Sequence, residues 1–144
     1  MGIEQNWDER DQSIIRCTIT DDWSWESYHD STIEIAKMGR AVDHRFDVIV
    51  DMRDAGRLPL SAASLQLKSA LEKMPDNYGV TVFVDPDKFM RMILESLDRV
   101  LPKAKDHFFV VETVNAARRM VLLQRGAGGD SGFDSETRPI FPYK

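Results

Sequence analysis

The chain has 144 residues, 42% hydrophobic and 30% charged, a size and balance that fit one globular domain burying roughly 70% of the surface it exposes when unfolded. Its 19 Lys and Arg against 24 Asp and Glu leave a net charge of −5, and no basic run offsets it, which argues against nucleic acid as a partner. The single cysteine, Cys17, excludes an internal disulfide and a cysteine-clustered zinc site; no apolar stretch is long enough for a membrane span, and Met1 to Asp11 is too polar for a signal peptide, so the expected setting is cytoplasmic.

From Ser13 to Thr20, Ile15, Cys17 and Ile19 alternate with Arg16, Thr18 and Thr20, the period of a strand with one wet face. Ile3 to Trp7 is its expected hairpin partner, across the polar reversal Asp8-Glu9-Arg10-Asp11. Asp21 and Asp22 supply N-cap candidates for a helix from Asp22 to about Val42, with Trp25, Tyr28, Thr32, Ile35, Ala36 and Gly39 on one face and Gly39 nearest the sheet. Phe46 to Met52 has the continuous apolar centre of a parallel strand covered on both sides.

After the loop Arg53 to Leu60, Ser61 can cap a helix carrying Leu67, Ala70, Leu71 and Met74 that Pro75 ends. Val80 to Val84 reads as a second buried strand. Asp85-Pro86 then forms an N-cap and N1 pair for a helix through Leu101 that buries Phe89, Ile93, Leu97 and Val100 and leaves Met90, Met92 and Leu94 as an apolar surplus. His107 to Val111 is the last strand, and Val114 to Arg125 is a helix capped by Thr113 and ended by Gly126. The order predicts an α/β domain over residues 1–126, with a mostly parallel sheet of four or five strands, an N-terminal antiparallel hairpin and four helices. Residues 127–144 form a tail with Gly, Ser and Pro, whose Phe133, Ile140, Phe141 and Tyr143 are expected to dock on this chain or a second copy.

Acidic residues gather at expected carboxyl ends of strands: Asp21 and Asp22, Asp51 and Asp54, Asp85 and Asp87. That edge is where ligands bind in open α/β sheets, and clustered carboxylates there could hold Mg²⁺; helix capping explains Asp21, Asp22 and Asp85 without a ligand. A phospho-receiver arrangement would need a hydroxyl after Val84 and a lysine after Val111, where Asp85 and Glu112 stand instead. Gly129-Asp130-Ser131-Gly132 copies the tetrapeptide around a trypsin-like nucleophile, but it lies in the tail without a partnered His and Asp. His29, His44 and His107 share no metal-binding spacing, and Trp23 with Trp25 can make an aromatic platform or simply pack.

The element order, the Trp-rich helix start Asp22-Trp23-Ser24-Trp25, the strand ending Asp51-Met52-Arg53 and the run Val82-Phe83-Val84 resemble the STAS domain of anti-sigma-factor antagonists, and more narrowly the bacterial SpoIIAA-like or STAS/SEC14-like proteins, over about residues 3–126. The resemblance implies a regulatory or binding module and, in the regulatory branch, phosphorylation of a serine at the place of Ser61. The surroundings Leu60-Ser61-Ala62-Ala63-Ser64 lack the acidic residue before and the glycine after that such serines have. The expected function is non-catalytic engagement of a protein partner or a small apolar or anionic ligand by Arg53, Asp54, Arg57, Ser61, Asp85, Asp87 and Trp23, without cofactor, metal or catalytic residue. The alternatives are a Mg²⁺-dependent phosphoryl-transfer or hydrolytic enzyme on Asp51, Asp54 and Asp85, and a structural homodimer.

Overall fold

The computed structural model describes residues 2–21, 23–56 and 63–129. A five-stranded sheet forms from β1 (Ile3–Trp7), β2 (Ile14–Ile19), β3 (Phe46–Asp51), β4 (Tyr78–Val84) and β5 (Phe108–Val111), side by side in chain order. β1 and β2 are antiparallel, and every later pair is parallel, including the two continuous apolar runs β3 and β4. The intervening helices are α1 (Trp25–Arg40), α2 (Ala63–Glu72), α3 (Lys88–Val100) and α4 (Pro102–His107), and α5 (Val114–Gly129) follows the last strand. Among the described residues no helix is long and apolar enough to cross a membrane.

Strand periodicity sorts the core into two layers. Ile15, Cys17, Ile19, Val48, Val50 and Phe83 face a core completed by Tyr28 and Ile35 of α1, Leu67 and Leu71 of α2, Met90, Leu94 and Leu97 of α3, and Ala104 of α4. Ile14, Ile49, Val80, Val82, Val84 and Phe109 face the opposite way, against Ala117, Met120 and Val121 of α5. At Gly39 a Cβ would lie 2.2 Å from Cε1 of Phe46, so α1 crosses β3 with no room for a side chain.

Several expectations shift. Ser24 caps α1 in a capping box with Ser27, and Asp22 lies outside the described residues. α3 begins at Lys88, capped by Asp87 rather than by Asp85 and Pro86, because Asp85 sits at φ +51° and so stands in the turn before the helix. Leu97 is buried and Ile93 packs against the core as expected, but Met90 and Leu94 enter the core while Phe89 is 48% exposed; the side chain of Val100 lies outside the described residues. Pro102 opens the short α4 instead of merely ending α3, which makes five helices among the described residues where four were expected. Thr113 does accept from Ala116 N–H at 3.0 Å, but α5 runs through Gly126 to Gly129 because Gly126 stays helical. The tail residues Phe133, Ile140, Phe141 and Tyr143 lie outside the described residues.

Asp47, the second residue of β3 and a charge within its apolar run, is fully buried. The β3–β4 register shifts between Phe46 and Val48, and Val80 N–H at that irregularity donates to Asp47 Oδ1 at 2.8 Å. Arg45 binds the same oxygen through Nη2 at 2.9 Å, and Arg125 of α5 binds Oδ2 through Nε at 2.9 Å and Nη2 at 2.8 Å. Gly79 is required beside it, since a Cβ there would lie 2.1 Å from Asp47 Oδ1. Replacing Asp47 by Ala strands two arginines and an amide; urea titration is expected to show a loss of about 3 to 5 kcal/mol, and Gly39→Ala a loss of about 1 to 3 kcal/mol from overpacking. A cost under about 1 kcal/mol for Asp47→Ala would mean the cluster does not hold the sheet.

Candidate functional site

The carboxyl ends of β3 and β4 carry the candidate site. Met52 N–H donates to Val84 O at 3.1 Å and Asp85 N–H to Val111 O at 2.8 Å, so both chains leave the sheet together and turn outward. Between them opens a cavity of about 330 Å³ lined by Trp23, Met52, Arg53, Ala55, Gly56, Asp85, Pro86 and Asp87. Gly56 (φ +69°) makes the turn at its rim, where a Cβ would lie 2.6 Å from Asp21 Oδ1. Positive φ and a blocked Cβ position together demand glycine.

Four of the residues expected from sequence, Trp23, Arg53, Asp85 and Asp87, therefore meet at one cavity. Asp54 is exposed in the neighbouring turn and does not line it, and Arg57 and Ser61 lie outside the described residues. Trp23 is only 6% exposed and forms an edge-on cluster with Trp25 and Tyr28. Its Nε1 is buried without a hydrogen-bond partner among the described residues. Asp87 gives Oδ1 to Met90 N–H at 2.9 Å, and Asp85 has Arg91 Nη2 at 3.9 Å from its Oδ1.

Arg53 is not free to act as a lone cation. Its Nε donates to Asp51 Oδ1 at 2.9 Å and its Nη2 to Asp51 Oδ2 at 2.6 Å, a side-on pair, and Arg16 Nη2 stands 3.3 Å from the same carboxylate. Arg16 also faces Asp8 at 3.6 Å, which Arg118 of α5 grips at 2.8 Å. Sequence reading placed Arg16 on the wet face of β2 but gave no sign of this network, since its members stand far apart in the chain. Burial pushes the Asp51 carboxyl up, but the hydrogen bonds and charges of Arg53, with Arg16, outweigh it and hold it below the ordinary range; Asp8 is held down likewise against burial, chiefly by Arg118.

The other candidates resolve as structure. Burial pushes the Cys17 thiol up to about 11, against its hydrogen bond with Ser31, so it stays protonated and packs as a small apolar residue. The His107 Nδ1 donates to Gly79 O at 2.7 Å, while the ring stacks on Tyr78. Among the described residues no three His, Cys, Asp or Glu side chains are grouped to hold a metal ion. No family model matches the sequence, and no curated protein or solved structure matches it.

Because Asp51 and Asp8 are held below their ordinary value of 3.8, their contribution to stability is complete above that pH and is lost as pH falls through the lower folded values. Asp51→Asn is expected to cost about 1 to 3 kcal/mol at neutral pH, and its urea midpoint should fall less than the parent's between about pH 5 and pH 3. Parallel acid limbs in the two proteins would show that Asp51 is not the titrating partner.

Proposed function

We propose that this chain is a non-catalytic, STAS-like binding module, and that the cavity at the carboxyl ends of β3 and β4 is its ligand site. The resemblance of element order and local motifs supports the class. The observation that carries the site is the convergence of Trp23, Arg53, Asp85 and Asp87 on one cavity of about 330 Å³, at the sheet edge where open α/β folds receive ligands. The enzyme reading draws on Asp51, Asp54 and Asp85, but Asp51 is committed to Arg53 and Arg16 and Asp54 lies outside the cavity, so those three carboxylates supply no common centre.

A protein partner is a second reading favoured by one observation. Phe89 and Met92, at i and i+3 on the first turns of α3 just past Asp87, are 48% and 58% exposed. The two readings separate in a fragment screen by amide NMR on the ¹⁵N-labelled chain. The ligand-site reading expects shifts confined to residues 52–56 and 85–88 that persist in a Phe89→Ser, Met92→Ser variant. Hits scattered over the surface, or none at these residues, would remove the cavity as the site.

A further inference from the structure

A second cavity, sharing no lining residue with the candidate site, lies within the core where α1 and α2 stand over the sheet. Its volume is about 30 Å³, close to one water molecule's share of the liquid and too little for an organic ligand. Ile35 of α1, Leu71 of α2, Val48 and Val50 of β3 and Phe108 of β5 make much of its wall. An apolar cavity of this size would stay dry, but six further lining residues are polar: Cys17, Tyr28, Ser31, Thr32, Tyr78 and Thr81.

Most of these polar groups are committed to one another or to the backbone. Ser31 Oγ donates to Gln5 Oε1 at 2.8 Å and stands 3.7 Å from the Cys17 sulfur. Thr32 Oγ1 donates to Tyr28 O at 2.9 Å, and the Tyr78 hydroxyl shares a bond of 2.6 Å with Thr81 Oγ1. The Tyr28 hydroxyl is the exception. Its residue is 7% exposed, and the hydroxyl makes no hydrogen bond among the described residues. Nor is it sealed in by protein atoms as Trp23 Nε1 is, so a small molecule can reach it. Burial, with Cys17 and Tyr78 close by, pushes its ionisation above the usual range, which keeps it a neutral hydroxyl with one proton to give and lone pairs to offer. A buried hydroxyl left without a partner is costly, and a water-sized space lined by further hydroxyls removes that cost.

We propose that this cavity is a binding site for a single internal water molecule, held between the Tyr28 hydroxyl and the Tyr78–Thr81 hydroxyl pair. Such a water lets α1 and α2 pack over β3 and β4 with neither a void nor an orphaned phenol, because the second bond of each oxygen goes to the water. The site is independent of the cavity at the strand ends, and its test leaves that reading untouched. Magnetic relaxation dispersion of the ¹⁷O water signal, on the full chain, counts internal waters held longer than the protein tumbles, and exchanging hydroxyl protons do not contribute to it. Tyr28→Phe is expected to hold one long-lived water fewer than the parent, with amide shifts changed only around the cavity. An equal count in the two proteins would overturn the proposal. A crystal structure of the parent gives a check that needs no variant: an ordered water oxygen within hydrogen-bond distance of Tyr28 Oη is expected, and an empty cavity, or a protein group bonded to that hydroxyl in its place, would overturn the proposal as well.

Discussion

A sheet wound with its strands in chain order leaves one face to a single described helix, and the position of that helix rests on two buried aspartates. α5 lies over Ile49, Val82, Val84 and Phe109, and its arginines 118 and 125, seven residues and so two turns apart, reach Asp8 and Asp47. Neither carboxylate could be buried alone, because an unpaired charge in the interior costs several kcal/mol. Each is therefore met by arginine, and Asp47 also replaces the ladder bond that the register shift takes from Val80. The clasp ties β2, β3, β4 and α5 together at the amino end of the sheet, where Arg125 also bonds Ser13 Oγ at 2.7 Å.

The opposite end is built differently. There the strands part into turns, Asp85 occupies a left-handed conformation, and the chain encloses a cavity rather than a bonded cluster. Asp51 marks the border: it faces the Arg16–Asp8–Arg118 network on one side and orients Arg53 at the cavity on the other. Asp51 thus links the network beneath α5 to the wall of the candidate site.

The architecture was legible where periodicity and length agree. The alternation of Ile15, Cys17 and Ile19, the apolar runs of β3 and β4 and the inward face of α1 with Gly39 against Phe46 all follow from spacing alone. Helix starts were less legible, because Asp, Ser and Pro crowd the segments before α1 and α3, and several of them are competent caps. Asp87 is the cap of α3, and the apolar surplus on that helix leaves two neighbouring stripes to choose between, so Phe89 reads as core although Met90 takes that place. Of the residues lining the cavity, Arg53, Asp85 and Asp87 stand out in the sequence because they follow strand ends, and Trp23 because it opens a helix beside a second tryptophan. Ala55 and Pro86 fall within the stretches 53–60 and 85–87 expected to bind, but neither they nor Met52 stands out singly, since an apolar residue at a strand end or in a turn carries no signal of its own. The charge at Asp47 within an apolar run was the one visible hint of the clasp, but its partner Arg125 lies 78 positions away.

Buried ion pairs concentrate stability at the amino end of the sheet, while the carboxyl ends of β3 and β4 part into turns around the cavity. Native-state amide hydrogen exchange tests it residue by residue. The Val80 amide, bonded to Asp47, should exchange only through global unfolding, while amides of residues 53–56 and 85–87 should exchange through local openings of much lower free energy. Equal protection at both ends, or local exchange at Val80, would contradict the account.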